Sequence, residues 1–402
     1  MMKSLKGISS LADKRVLVRV DFNVPLAGRQ IKDESKILAS LPTIKYLQKK
    51  KAKVILITHL GRPEGKYDPM FSVEPVRKKL VKLLGSEVLK INTKDWELTE
   101  KQKEKIKEQI DSLTRGGVAM LENIRFAAGE QGNKKGLAKE LADLGDVFVL
   151  DGFAVAHRGD ASVSGLAKYL PAFPGLLLEK EIRGLEKGLK KAGKPYVAIL
   201  GGAKVETKIP VIKNLLPRVS RLLVGGVIFS TYLAAQGYKI GQSQVDKGLI
   251  GLVKRLLKNK KICLPVDVIV GDQEGKRYRH VFLNNKEKNI CRRSEAILDI
   301  GPATVRLFAK EIKKAKTLVW NGAMGYFEQK PYDMGTLAVA RLVATHSRGS
   351  AFGIVGGGET IEAMEKVKML EDVDLASTGG GAMLEFLGGR NLPGIQAVCS
   401  KK

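Results

Sequence analysis

No uninterrupted apolar run reaches the roughly eighteen residues that a membrane helix needs. The opening stretch, MMKSLKGISSLADKR, also lacks the apolar core of a secretory signal. Both absences point to a soluble globular protein of the cytoplasm. Cysteine is scarce: Cys263, Cys291 and Cys399 stand far apart, with no CxxC pair to suggest zinc or redox chemistry. Aromatic residues make up only 6% of the chain, which leaves few stacking platforms for single-stranded nucleic acid. No GxxxxGK[ST] occurs and no GxGxxG follows a strand-like run, so the Walker loop and the dinucleotide fingerprint both lack their defining residues.

What is present is a chain of 402 residues, 44% of them hydrophobic, a length that favours two domains over one. Lysine and arginine number 70 against 42 acidic residues, a formal charge of +28, so anionic partners come first. Small phosphates and nucleic acid both qualify. Yet Lys101, Lys103, Lys105 and Lys107 alternate with Glu100, Glu104 and Glu108, the spacing of a solvated helix face. Nucleic acid is therefore not expected as the primary partner.

Short β-rich runs alternate with longer amphipathic segments, the signature of βαβ units and parallel sheets. In the first half the runs Val16–Val20, Val54–Thr58, Val118–Leu121 and Val147–Leu150 lead into DFNVP, HLGRP, ENIRF and DGFAVAHR. These ends deliver charged and hydrogen-bonding side chains. In the second half Val197–Leu200, Leu222–Val224, Ala296–Ile300, Leu318–Trp320, Phe352–Val355 and Leu375–Ser377 lead into GGAK, GG, GPAT, NGAMG, GGGET and TGGGA. These ends deliver bare backbone. Ligands of open parallel sheets bind beyond the carboxyl ends of the strands, so each half is expected to hold one site there. The change of character falls near Tyr169–Gly193, where YLPAFPG precedes a helical stretch, Leu176 to Lys191, that suits an interdomain connector.

In the basic half, Asp21 and Asn23 emerge at the end of the first strand, His59 and Arg62 after the second, Arg125 after the third, and His157 and Arg158 after the fourth. Three guanidinium forks can hold a carboxylate and phosphates in one orientation. The alternative is that each arginine pairs with a local acid such as Glu122, Asp151 or Asp160. Repetition at successive strand ends favours a small, highly anionic ligand. A lone histidine is more often a hydrogen-bonded scaffold residue than a proton carrier, and His59 and His157 are read with that in mind.

In the glycine half, Gly201-Gly202-Ala203-Lys204 with Lys208 would set backbone amides and two ammonium groups at a helix start, a natural polyphosphate cradle. Gly356-Gly357-Gly358-Glu359-Thr360 adds a carboxylate able to reach magnesium, and Thr378-Gly379-Gly380-Gly381 opens a helix over Ala382–Leu387. One small anion held by side chains and one polyphosphate held by backbone suit phosphoryl transfer, which needs positioning and charge neutralisation more than covalent help.

The ordered set RVDFNVP, HLGRP, ENIRF, AHR, LGGAKV, DIGP, WNG, MGYFE, GGGET, STGGGA and LPGI, running from about Arg15 to Ile395, resembles the phosphoglycerate kinases. The resemblance implies two Rossmann-like α/β domains, each with a mainly parallel sheet flanked by helices and joined by a hinge helix. It places an amino-terminal glycerate domain at 1–171, the helix at 172–192, a carboxyl-terminal Mg-nucleotide domain at 193–390, and a tail, about 391–402, packed back on the first domain. It further implies a cytoplasmic monomer that closes by hinge bending and transfers a phosphoryl group between 1,3-bisphosphoglycerate and ADP, giving 3-phosphoglycerate and ATP.

Matched by position, Asp21, Asn23, Lys36, His59, Arg62, Arg125 and Arg158 resemble the glycerate contacts. Lys204 resembles the lysine that follows the moving phosphoryl group, and Gly379 and Gly380 the amides that stabilise it. On the nucleotide side Gly202, Lys208, Asn321, Gly356, Gly357, Gly358 and Thr360 resemble phosphate-side contacts, Glu328 the ribose acceptor, and Glu359 the Mg2+ carboxylate. The chain departs from the family pattern at Lys36, where an arginine is usual, at Glu359 for aspartate, at Asp160 for a histidine, and at Ala323 for the proline of an NGP turn. Two other readings stay open: a protein that keeps the fold but binds a polyanion, and a kinase for a different small acid.

Overall fold

The computed structural model describes residues 4–93, 96, 98–283 and 287–399. Contacts divide the chain into two units, one running to Ile182 and resuming at Asn391, the other spanning Arg183–Arg390. Each is built on its own six-stranded parallel sheet, so the expected α/β class with two mainly parallel sheets holds.

The sheet of the first unit runs Val88–Ile91, Val118–Leu121, Lys53–Ile57, Arg15–Arg19, Val147–Leu150, Ala172–Pro174. Its central strands are buried at nearly every position, Val118–Leu121 and Val147–Leu150 reading as continuous apolar runs and Arg15–Arg19 carrying an arginine at each end. Register fixes function here. Arg19 lies beside Ile57 and Leu150, so the residues that follow, Val20-Asp21, Thr58-His59 and Asp151, come out level with one another.

The second unit repeats the plan in the order Ile262–Cys263, Arg221–Val224, Tyr196–Leu200, Thr317–Asn321, Phe352–Gly356, Leu375–Ser377. Asn321 stands between Leu200 and Gly356, and Gly356 beside Ser377, so the loops that follow four strands meet at one edge. The run Ala296–Ile300 does not belong to this sheet. It pairs antiparallel with Asp267–Gly271, which also pairs antiparallel with Tyr278–Phe282. Asp272 closes the hairpin between Asp267–Gly271 and Tyr278–Phe282: its carboxylate accepts the amides of Lys276 and Arg277, and the chain reverses into the second of these strands. The helix Pro302–Ile312 that follows has its first amides capped by Asp267, which accepts Ala303 N at 2.8 Å and Thr304 N at 2.7 Å.

The connector forms a helix over Leu176–Lys190. Its first amides are held within the first unit, Leu176 N donating to Thr43 Oγ1 and Leu177 N to Asp151 Oδ1, each at 3.0 Å. Gly184 and Gly188, on the second unit's side of the division, pack without side chains against Leu375 and Ile354. Where the chain rejoins the first unit it forms a helix over Pro393–Cys399, and Gly394 N donates to Ala156 O at 2.8 Å. The last three residues of the tail lie outside those described. The lysine-glutamate alternation forms the helix Glu100–Asp111, opened by a Thr99/Gln102 capping box and burying only Ile106 and Ile110.

Candidate active site

At the carboxyl ends of the first sheet, Asp21 is the hub. Its Oδ2 accepts Lys36 Nζ at 2.8 Å and its Oδ1 accepts Asn23 N at 3.2 Å. Asn23 in turn accepts Gly61 N at 2.9 Å through Oδ1, tying the first loop to the second. Arg125, 5% exposed, donates Nη1 to Gly61 O at 2.6 Å, while its Nε is buried without a partner. The Nε of Arg158 is also buried and unpartnered. Burial beside Arg158 lowers Arg125 to about 10. Of the three acids considered from the sequence, Asp160 is buried near enough for its charge to favour the Arg125 cation, while the other two are engaged elsewhere. Glu122 accepts Ser72 Oγ and the amides of Val73 and Asn123, and Asp151 accepts Thr43 Oγ1 and Leu177 N. Arg62 is exposed at the rim.

The residue that organises this site was not among those expected. Arg19 is 1% exposed; its Nε donates to Ser162 Oγ at 2.7 Å, its Nη1 to Val20 O, and its Nη2 to His59 Nδ1 at 3.2 Å. Its only sequence signal is a charge inside the apolar run RVLVRV. Burial, with the positive charges of Arg19, Arg125, Arg158 and Lys36, holds His59 well below the usual imidazole value. His59 is therefore neutral, accepts from Arg19 through Nδ1, and its 3.7 Å approach to Asp21 is not an ion pair. The hydrogen bond that the His59 ring makes within the protein is thus the one it accepts from Arg19.

In the second unit the last residue of the central strand and the two that follow it grip the end of the next strand and its loop. Asn321 Nδ2 donates to Gly356 O at 2.6 Å, Gly322 N to Thr360 Oγ1 at 2.7 Å, and Ala323 N to Glu359 Oε2 at 3.1 Å. Asn321 Oδ1 accepts Lys208 Nζ at 2.5 Å, from a lysine buried one turn into the helix Val205–Leu215. Burial lowers Lys208 to about 8, and Lys204 works in the same direction while Glu359 opposes both. Two glycines are required by geometry: Gly202, at φ +85°, would place a Cβ 2.8 Å from Glu359 Oε2, and Gly357, at φ +96°, would place one 2.8 Å from Asn321 Nδ2. The two triple-glycine loops touch, since a Cβ on Gly380 would lie 3.2 Å from Gly357 Cα. Gly358 and Gly380 open the helices Gly358–Lys366 and Gly380–Leu387, and Gly379 N donates to Ser377 Oγ at 3.3 Å.

Beside these loops lies a cavity of about 390 Å3, lined by Gly202, Glu328 and Glu359 together with Phe229, Val268, Ile297, Leu298 and Met324. Its apolar lining went unread in the sequence because it is assembled from separate strands and helices. Lys204 is exposed at the cap of its helix and lines a neighbouring depression with Asp246 and Lys247.

A family model for phosphoglycerate kinase matches residues 5–390. The chain belongs to the phosphoglycerate kinase family. It is 44% identical to the phosphoglycerate kinase of Desulfosudis oleivorans over 407 aligned residues, covering 99% of this chain and 98% of that one. It is 43% identical to that of Thermosipho africanus, covering 98% and 96%. Among solved structures, the phosphoglycerate kinase of Coxiella burnetii aligns over 99% of this chain and 98% of its own, with a TM-score of 0.85 and 39% identity. That of Pyrococcus horikoshii gives 0.84 and 32% over the same shares. The family's members are phosphotransferases with a carboxyl group as acceptor, and this chain is such an enzyme, a glycolytic kinase using a nucleotide substrate. Among the described residues no helix is long and apolar enough to cross a membrane.

Proposed function

We propose that the chain catalyses reversible in-line transfer of the 1-phosphoryl group of 1,3-bisphosphoglycerate to the β-phosphate of Mg-ADP, without a phosphoenzyme. The observation that carries this is the contrast between the two strand-end sites. One offers buried guanidinium nitrogens without partners, and the other offers backbone glycines beside an apolar cavity. Arg62, Arg125 and Arg158 hold the glycerate's phosphate and carboxylate, with Asp21, Asn23 and His59 fixing the loops and the hydroxyl. Gly202, Lys208, Asn321 and Gly356–Thr360 receive the nucleotide phosphates, Glu328 the ribose, and the cavity the base. Lys36, Lys204 and the amides of Gly379 and Gly380 share the charge that builds on the moving group. Lys36 is held by Asp21 through one of its three N–H donors, which leaves donors for an incoming anion.

Among the described residues no group of three or more His, Cys, Asp or Glu side chains could hold a metal unaided. Magnesium is accordingly read as arriving with the nucleotide, whose phosphates and water supply most ligands while Glu359 adds one carboxylate oxygen. The reading takes the enzyme as a cytoplasmic monomer, as the family resemblance implies.

Calorimetry on the full chain tests the division of labour. Arg158→Met is expected to weaken 3-phosphoglycerate at least about tenfold and leave ADP unchanged, and Lys208→Met the reverse. Equal effects of each variant on both ligands would overturn the assignment.

A further inference from the structure

Residues 321–323 make three bonds to residues 356–360, and the third differs from the others. Asn321 and Gly322 hold a backbone carbonyl and a short hydroxyl, groups that have little freedom to begin with. Ala323 N–H holds a carboxylate on a long stem, Glu359 Oε2, at 3.1 Å. The same oxygen lies against the open face of Gly202, 2.8 Å from where a Cβ would sit. One oxygen of Glu359 is thus lodged between two stretches of backbone, and the position of the other is set by it.

We propose that the Ala323 amide is a positioning group for magnesium-nucleotide binding: it pins Oε2 of Glu359 to the loop and so presents Oε1 to the metal carried by the nucleotide. The proposal rests on the reading of Glu359 as the metal-facing carboxylate. Glutamate has one more rotatable bond than aspartate, and a metal with near-ideal octahedral demands tolerates little wandering of a ligand oxygen. A charge-assisted hydrogen bond from a rigid backbone amide removes that freedom before the ligand arrives.

The identities of residues 323 and 359 are consequently matched. A proline at 323 has no N–H, and its Cδ would occupy the direction in which the hydrogen now points, driving Oε2 away. An aspartate at 359 would draw the carboxylate back by about 1.5 Å, one carbon-carbon bond, out of bonding reach of the amide and clear of such a ring. The chain departs from the family pattern at both positions of this pair. Gly322, at φ +91°, carries no Cβ to meet the Cδ of a proline at 323.

The test measures ADP affinity by calorimetry on the full chain, with magnesium and with magnesium removed by chelator. The ratio of the two dissociation constants is the magnesium gain. Ala323→Pro is expected to lower that gain about tenfold in the otherwise unaltered chain, the size of a lost hydrogen bond to a charged group. In the Glu359→Asp background the same change is expected to alter it less than about twofold, a coupling that a merely structural role would not produce. Metal-free ADP affinity is measured for every variant, so that the ratio isolates the metal-dependent part of binding. An Ala323→Pro effect equal in the two backgrounds, or absent from the first, overturns the proposal.

Glu359→Gln separates this from the underlying reading. If it keeps the full gain, Glu359 does not face the metal and both fall. If it loses the gain while Ala323→Pro keeps it, only the pinning falls. A second measurement needs no proline: with alanine selectively 15N-labelled, the Ala323 amide proton resonance shifts upfield in Glu359→Gln. An unmoved resonance means that the carboxylate was not its acceptor.

Discussion

Arg19 offers the sharpest test of how the first unit is held together. Replacing it by methionine keeps most of the buried volume but removes the donors to Ser162, Val20 O and His59, and the positive charge that favours the buried Glu130 carboxylate. Arg19 and Glu130 are linked through Ser162 Oγ, and burial already raises the Glu130 carboxyl above its ordinary value against the pull of Arg19; leaving a buried charge without its compensating partner costs about 3–5 kcal/mol. Glu130 retains two bonds from Ser162, so the loss is expected near the lower end. The chain's two tryptophans make the assay selective: Trp96 lies in the first unit and Trp320 in the second. In a Trp320→Phe background, urea unfolding followed by Trp96 fluorescence reports the first unit. The Arg19→Met midpoint should fall by an amount equivalent to about 3 kcal/mol at unchanged slope. Adding Glu130→Gln should return more than about 1 kcal/mol of it, since the orphaned charge disappears. His59 should also titrate higher in Arg19→Met, having lost the nearest cation that holds it neutral. A loss below about 1 kcal/mol, or strict additivity with Glu130→Gln, would refute the reasoning.

Gly202→Ala should destabilise the second unit by about 1–2 kcal/mol for its left-handed backbone. It should also weaken Mg-ADP more than metal-free ADP, because the new methyl meets Glu359, as paired calorimetry would show. Lys208, lowered to about 8, is charged below that pH and neutral above it. Phosphate binding favours the charged form, so ADP affinity should fall as pH rises through 8, by up to about tenfold per unit, and Lys208→Met should flatten the profile. Asp151 is pushed up to about 7 by burial, so between its unfolded value near 3.8 and 7 the folded chain binds the extra proton. Its contribution is full below that window and is lost as pH rises through 7. Asp151→Asn should abolish this slope in denaturant titrations read from Trp96.

Much of this molecule was legible because parallel strands buried on both faces write themselves as apolar runs, and because the residues after each run sit where the sheet presents ligands. Val147–Leu150 and Phe352–Val355 needed nothing more. Ala296–Ile300 was misplaced because an apolar run carries no mark of its partner's direction; it lies antiparallel to Asp267–Gly271 in a separate three-stranded sheet. The roles of Arg125 and Arg158 were suggested by position, whereas Arg19 stayed hidden because its partners, Ser162 and His59, are distant in sequence and level only through sheet register. The link between Ala323 and Glu359 was invisible for the same reason: two departures 36 residues apart become one hydrogen bond only when their strands pair.

Coupled turnover of 3-phosphoglycerate with Mg-ATP, compared among the unaltered chain, Lys36→Arg and Lys204→Ala, decides whether the chain is a working kinase. Saturable turnover is expected in the unaltered chain, with a fall of at least about a hundredfold in Lys204→Ala, the scale of losing one charge-stabilising group at the moving phosphoryl. No turnover in the unaltered chain, with none restored by Lys36→Arg, would contradict the proposed transfer.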